Sequence, residues 1–90
     1  MQTVWKFPLG YDSRGQFGIE APAGARPLTV NFDPQGVLVL WAAVDSDATP
    51  APLTVTVVGT GQKLPPDLGE FVNTFSSDPF VFHAFVKAGE

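Results

Sequence analysis

The sequence predicts an all-β fold, a compact antiparallel sandwich or small barrel of about seven short strands. Apolar and polar residues alternate with a period of two along most of the chain, as they do in a strand with one buried face. Turn sequences rich in Gly and Pro, nine of each in ninety residues, separate the alternating segments. The composition contains too few Lys, Glu and Ala residues for a coiled coil or a helical bundle.

Four segments show this alternation most clearly. Their apolar positions are Trp5, Phe7 and Leu9, then Phe17, Ile19 and Ala21, then Leu28, Val30 and Phe32, and later Leu53, Val55 and Val57. Residues 11–15 and 22–25 link the first three segments. Residues 33–36 place Pro and Gly where a four-residue hairpin turn uses them, so we predict a turn there.

The second half of the chain contains two irregular segments. Residues 45–52 are polar and contain two prolines, so we predict a loop. Residues 59–69 form the longest predicted irregular segment, because they combine a Gly-Thr-Gly sequence with consecutive prolines. A strand over residues 70–76 and a turn over residues 77–79 follow.

Two predicted strands, over residues 37–44 and 80–86, are apolar on both faces. A thin core covers one face of each strand, so the second face needs cover from another sheet, a loop or another copy of the chain. We therefore expect a homo-oligomer. In the alternative interpretation, the long loop over residues 62–68 folds over one of these faces. Residues 38–44 also permit a helix, but the tight turn directly before them favours a strand.

Size and charge exclude several classes of protein. Ninety residues predict one small domain. Five Lys and Arg residues against nine Asp and Glu residues give a net charge of −4, which argues against a nucleic-acid partner. The absence of cysteine excludes a disulfide scaffold, a thiol nucleophile and a Cys-based zinc site. We expect no cofactor.

No targeting or membrane segment is evident. The amino terminus lacks a basic region followed by an apolar stretch. The longest apolar run, residues 37–44, has eight residues, whereas a membrane-spanning helix needs about 20. We therefore expect a soluble protein of a cytoplasm with no membrane partner.

One glycine-rich turn is a candidate anion site. Gly59, Thr60 and Gly61 are followed by Lys63, and consecutive amides in such a turn can cradle an anion. The pattern departs from a phosphate-binding loop, because one residue separates the glycines and the prolines at 65 and 66 prevent the following helix. The alternative is a turn at a strand end that requires a positive φ.

Further candidates are side chains suited to stacking on a nucleotide-like ligand or pairing with its charge. They are Trp5, Tyr11, Arg14, Arg26 and Trp41, although both tryptophans also suit the core. His83 is the single histidine, and the alternative for it is a structural role with its ring hydrogen-bonded in or near the core. The predicted ligand-binding set is Arg14, Arg26, Trp41, Thr60, Lys63 and His83.

No metal or catalytic site is predicted. Asp45 and Asp47 resemble the start of a calcium loop, but Pro50 and Thr56 occupy the positions that require Gly and Glu. A solvated turn is the better interpretation. One histidine without cysteine does not make a zinc site, and no serine lies in a nucleophile elbow. No pair of titratable groups suggests acid–base catalysis, so we do not expect an enzyme.

Five segments in register carry a resemblance to a known family. They are Val-Trp-Lys-Phe-Pro-Leu from residue 4, Pro-Ala-Gly-Ala from residue 22, Leu-Trp-Ala-Ala-Val-Asp from residue 40, Gly-Thr-Gly from residue 59 and Phe-His-Ala-Phe from residue 82. The chain resembles a family of small uncharacterised phage and prophage proteins. The resemblance implies a phage accessory protein that acts in the host bacterial cytoplasm or on the virion, and it brings no catalytic residues. Residues 46–52 lack the basic side chains usual in that family.

We therefore expect a non-enzymatic phage accessory protein that binds a partner. The first hypothesis is an anti-defence protein that sequesters a nucleotide-type immune signal in pockets between the subunits of a homo-oligomer, by analogy with phage proteins of similar size. One alternative is a virion decoration or assembly component. Another is an inhibitor that binds a host protein through a strand edge and an acidic surface.

Overall fold

A computed structural model describes residues 1–10 and 14–89, and it confirms the antiparallel all-β sandwich. The strands are β1 (Gln2–Gly10), β2 (Gly15–Pro22), β3 (Arg26–Phe32), β4 (Leu38–Asp45), β5 (Pro50–Gly59), β6 (Glu70–Ser77) and β7 (Phe80–Ala88). One sheet has the order β1-β4-β3, and the other has the order β2-β5-β7-β6. The described residues include no helix that is long and apolar enough to cross a membrane.

The core lies between the two sheets and is formed by alternate residues of the central strands. Its buried members include Val30, Leu38, Leu40, Ala42, Val44, Leu53, Val55, Val57, Phe75, Phe82, Ala84 and Val86. Full burial of a side chain such as Leu40 contributes about 1.5–3 kcal/mol. The period-two pattern of the sequence therefore marks the inward face of most strands, whereas Leu28, at a register shift in β3, is exposed.

The outward face of β4 is covered in part by its own neighbours. Val39 points away from the core, yet its exposure is 0%. Lys6 on β1 and Asp33 after β3 lie on either side of β4, and Lys6 Nζ donates a 3.1 Å hydrogen bond to Asp33 Oδ2. This bridge crosses β4 at the level of Val39. The apolar character of both faces of β4 is thus partly explained within one chain.

The long loop lies beside the outward face of the four-stranded sheet, where the buried outward residues belong to β5, whereas the alternative interpretation placed the loop over residues 37–44 or 80–86. Thr56 and Val58 on β5 point away from the core and are nevertheless buried. Beyond them, Asp67 pairs with Lys87 on β7. Gly69 approaches β7 so closely that a Cβ atom there would lie 2.4 Å from the Val86 carbonyl oxygen. The loop is therefore held at its end by contacts that only glycine permits.

The predicted turn over residues 33–36 is confirmed. Asp33 Oδ1 accepts hydrogen bonds from Gln35 N at 2.9 Å and Val37 N at 3.0 Å. Gly36 has a φ of 84° and donates its N–H to Asp33 O. The turn leads directly from β3 into the antiparallel β4. Of the turn predicted over residues 11–15, positions 11–13 lie outside the described residues.

The prediction of a loop over residues 45–52 is wrong at both ends. Asp45 belongs to β4, and β5 begins at Pro50, which pairs with Pro22. Proline usually interrupts a ladder because it lacks an N–H. Here Pro52 lies at the end of the β5–β7 ladder, where its carbonyl accepts from Gly89 N and no N–H is required. The two prolines therefore fit the strand.

The sandwich is closed along one side and open along the other. On the closed side the Asn73 side chain on β6 accepts from Val30 N at 2.8 Å and donates to Val30 O at 2.9 Å. This amide joins β3 to β6 as a ladder pair would. On the opposite side β1 and β2 form the outer edges of the two sheets. Trp5 on β1 is exposed there although it points inward.

Candidate functional site

A cleft of about 860 Å³ beneath the long loop is the candidate site. One wall is the start of β2, the floor is residues 56–58 of β5, and the other wall is loop residues 62–66. Gln16 Nε2 donates a 3.4 Å hydrogen bond to Thr56 Oγ1 and so joins the β2 wall to the floor. The volume is in the range of about 300–1,000 Å³ that small-molecule sites occupy, and the cleft is shallow and open to solvent.

The cleft is cationic in a chain whose net charge is −4. Arg14 and Lys63 line it, both are exposed, and neither forms an ion pair with a carboxylate of the described residues. No described residue that lines the cleft carries a carboxylate. Leu64 and Pro65 add apolar surface to the wall. The chemistry therefore suits an anion that also carries an apolar or planar part.

A smaller cleft of about 440 Å³ lies on the other side of the turn that begins the loop. It shares Arg14 and Gln62 with the large cleft, and Thr60 and Phe80 also line it. Arg14 therefore borders both spaces.

Two of the three amides of the Gly-Thr-Gly turn form hydrogen bonds within the chain. Gly59 N donates to Gln62 Oε1 at 2.7 Å, Gln62 N donates to Gly59 O at 3.0 Å, and Thr60 N donates to Val81 O at 3.0 Å. Gly61 has a φ of 89°, which agrees with the alternative of a turn that requires glycine. The Gly59 and Thr60 amides are therefore engaged within the chain and do not form an anion cradle.

His83 holds the start of the loop against the sheet. Its Nε2 lies 2.8 Å from Thr60 Oγ1, and its Nδ1 lies 2.9 Å from Thr74 Oγ1. Thr60 Oγ1 donates its proton to Val81 O at 3.1 Å, so in the neutral ring Nε2 donates to Thr60 and Thr74 donates to Nδ1. Both ring nitrogens are thus engaged, in agreement with a structural histidine that positions Thr60.

The structure brings together Arg14, Thr60, Lys63 and His83 at one end of the four-stranded sheet. The two other predicted residues lie elsewhere. Arg26 begins β3 and lines a separate cleft beside Gly69 and Glu70, and Trp41 lies half-buried on the three-stranded sheet opposite Lys6.

Sequence reasoning missed Gln16, Thr56 and Gln62, which line the cleft. Gln16 and Thr56 face each other because β2 pairs with β5, a strand forty residues distant. No local pattern reports such a pairing. Gln62 lies three residues after Gly59, and its side chain closes the turn. Its position directly after the glycines is the one feature of the sequence that could have indicated its role.

The Asp45–Asp47 turn binds the chain's own amine. The Met1 amine donates to Asp45 Oδ1 at 3.1 Å and to Asp47 Oδ2 at 2.9 Å. The hydrogen bond from Asp47 N, supported by the amine, lowers the pKa of Asp45. Among residues 1–10 and 14–89, no group of three or more side chains could hold a metal ion.

The fold and the site together define a two-sheet antiparallel β-sandwich with a cationic cleft under a surface loop. Over residues 1–90 the chain matches the model of a family described as "Domain of unknown function (DUF7352)", and it belongs to that family. Neither the curated proteins nor the solved structures include a match to the chain.

Proposed function

We propose that this protein is a non-enzymatic binding protein that holds a small anionic ligand of nucleotide type in the loop cleft. The observation that carries the proposal is the pairing of Arg14 and Lys63, without a described carboxylate partner, around a cleft of suitable size. In an acidic chain, an external anion binds most favourably beside cations that have no described carboxylate partner.

Each part of the lining suits one part of such a ligand. The Arg14 guanidinium can bind a phosphate through two parallel hydrogen bonds, and Lys63 adds a mobile point charge. Leu64 and the prolines after it offer an apolar surface to a base or sugar. Gln16 and Gln62 supply neutral donors and acceptors to polar ring atoms.

The described lining supports a role in binding without turnover. General acid–base catalysis requires a titratable group with a pKa near the working pH in contact with the ligand. The described lining offers Arg, Lys, Gln and Thr as its polar side chains, and the nearby His83 has both ring nitrogens engaged. We therefore expect the ligand to be held and released unchanged.

The resemblance to phage proteins suggests which ligands to test first. A phage accessory protein that captures a nucleotide immune signal would block the defence response of the infected bacterium against the phage. The sequence-based expectation placed the pocket between subunits, whereas the cleft proposed here is lined by one chain. One chain is therefore sufficient for binding in this proposal.

Calorimetric titration with ADP-ribose, ATP, a cyclic dinucleotide and inorganic phosphate tests the proposal. We expect Arg14→Gln and Lys63→Gln each to weaken nucleotide binding by about tenfold or more, since a hydrogen bond to a charged group contributes about 1.5–3 kcal/mol. Arg26→Gln is the matched control, because it removes the same charge at a separate cleft and should leave the affinity unchanged.

Two results would contradict the proposal. One is the absence of binding by every probe at about 1 mM, which corresponds to less than about 4 kcal/mol of binding free energy. The other is recovery of a chemically altered nucleotide when the loaded protein is denatured and the released ligand is analysed by mass spectrometry.

A further inference from the structure

β1 is an edge strand whose outward side has no partner among the described residues. Met1 O accepts a 2.9 Å hydrogen bond from Ser46 N, one step beyond the Gln2–Asp45 pair. Bonded pairs alternate along an antiparallel ladder. The odd-numbered residues of β1 therefore bond to β4, and the N–H and C=O groups of Gln2, Val4 and Lys6 point outward.

The same alternation is confirmed at the other edge of this sheet, where the outward groups are capped. Val30 on β3 bonds to the Asn73 side chain at 2.8 and 2.9 Å. Phe32 N donates to Asn31 Oδ1 at 2.8 Å. Amide side chains thus occupy three of the outward groups of β3, the Val30 N–H and C=O and the Phe32 N–H. No described side chain does this for β1.

β1 and the residue before it carry three of the eight exposed large apolar side chains of the described residues, and Phe71, Phe80 and Val81 form another such group on β6 and β7. Met1, Val4 and Trp5 are 71%, 55% and 41% exposed. β2, the edge strand of the other sheet on the same side, has Gly18 at its centre and the charged Glu20, and it has no large exposed apolar side chain. A long uncapped apolar edge is the feature that strand pairing between chains requires.

We propose that β1 pairs antiparallel with β1 of a second copy of this chain, with Val4 opposite Val4 on the two-fold axis. Gln2 of each copy then lies opposite Lys6 of the other. Each of the three pairs exchanges both N–H···O bonds, so every outward group of these residues is satisfied. Pro8 has no N–H to donate, which disfavours a register shifted toward the carboxyl end of β1.

The charges of β1 are compatible with a second copy as the occupant, because Lys6 is already paired with Asp33 across β4 and no like charges are opposed. Lys6 is the one charged side chain of β1. In this register it lies opposite a neutral Gln2 and in the row that continues to Asp45, the partner of Gln2 on β4. Two lysines never face each other. The exposed Val4 side chains meet on the outward face, and Trp5 lies opposite Thr3 of the other copy on the inward face.

The pairing would join two three-stranded sheets into one continuous sheet with the order β3-β4-β1-β1-β4-β3. The edge that is open in the single chain would thereby be removed. The loop cleft lies on the four-stranded sheet, so this inference is independent of the ligand proposed above.

Sedimentation equilibrium or light scattering of the full chain at about 100 µM tests the proposal. We expect twice the chain mass of 9.6 kDa for the natural sequence and the single-chain mass for Val4→Pro. The Val4 N–H makes no bond within the chain, so this proline should leave the circular dichroism spectrum unchanged. Gly18→Pro is the matched control on the outward side of β2, and it should keep the doubled mass.

A charge-swap experiment tests the two-fold position of Val4 and remains decisive if Val4→Pro unfolds. Val4→Lys and Val4→Glu should each give the single-chain mass, because equal charges then face each other. An equimolar mixture should restore the doubled mass. The proposal is overturned by a single-chain mass for the natural sequence, by a folded Val4→Pro that keeps the doubled mass, or by a mixture that does not associate.

Discussion

At the scale of single residues, the Asp33 carboxylate accepts three hydrogen bonds. Its carboxylate closes the hairpin turn and pairs with Lys6 across β4, while its side chain is only 4% exposed. The hydrogen bond from Val37 N lowers the pKa of Asp33, and Lys6 and Gln35 add to this effect, whereas burial opposes it. The folded state therefore favours the ionised carboxylate.

This shift predicts a pH-dependent stability. The contribution of Asp33 is fully present above the ordinary carboxyl pKa of about 3.9 and is lost as the pH falls through the lower pKa of the folded protein. Asp33→Asn keeps a side-chain oxygen for the turn but loses the ion pair. We expect it to lower the melting temperature most at neutral pH and progressively less below about pH 4.

Thermal unfolding monitored between pH 2 and pH 7 checks this. Glu20→Gln removes an exposed carboxylate on β2 that forms no ion pair with the described residues, and it serves as the control. A difference between Asp33→Asn and the natural chain that stays constant over the whole pH range would contradict the prediction.

At the scale of elements, the long loop depends on Gly69 at its junction with β6. Gly69 has a φ of 83°, and an added Cβ would lie 2.4 Å from Val86 O and 2.7 Å from Lys87 Cβ. We expect Gly69→Ala to destabilise the protein by about 1–3 kcal/mol, because it combines backbone strain with a clash against β7. Displacing the loop wall should also weaken ligand binding in the cleft.

Urea denaturation and nucleotide titration measure the two effects. Gly24→Ala is the matched control, since Gly24 has a φ of 81° with no atom within 4 Å of the added Cβ. It reports the backbone strain alone and should leave ligand affinity unchanged. Equal losses of stability in the two variants would show that the contact between Gly69 and β7 has no role.

At the scale of the whole molecule, Asn73 closes one side of the sandwich. Its side chain forms two hydrogen bonds to Val30, which is fully buried, and so connects the edge of one sheet to the edge of the other. Asn73→Ala would leave the N–H and C=O of Val30 without partners. We expect a loss of about 1–3 kcal/mol in the free energy of unfolding.

Chemical denaturation measures the size of this loss of stability, and hydrogen exchange shows where in the structure it occurs. The Val30 amide should exchange faster in Asn73→Ala than in the natural chain, while the Leu40 amide on central β4 should change only with global stability. Asn31→Ala removes an exposed amide that caps Phe32 N, and its effect should be smaller. Unchanged exchange at Val30 would show that the bridge does not close the sandwich.

The strands and the hairpin turn could be predicted from the sequence because they depend on local properties. Alternation at positions such as Leu53, Val55 and Val57 reports which face of a strand is buried, and most predicted positions lie in the core or against it; Trp5 and Leu28 are exposed, Leu28 because the β3–β4 register shifts there. The sequence from Asp33 to Gly36 determines its turn through its own side-chain and backbone bonds. The start of β5 at Pro50 was missed because proline is tolerated in a strand only where no N–H is required, and that depends on where the β5–β7 ladder ends.

The sheet order and the cleft were decided only by the tertiary structure. β1 pairs with β4 and β2 with β5, so the partners are distant in the chain and local patterning cannot specify which strands meet. Arg14 and Lys63 share a cleft only because the loop folds back over β2 and β5. The sequence by itself determined an all-β chain with apolar faces. Long-range pairing decided which cations come together and which edge is left open.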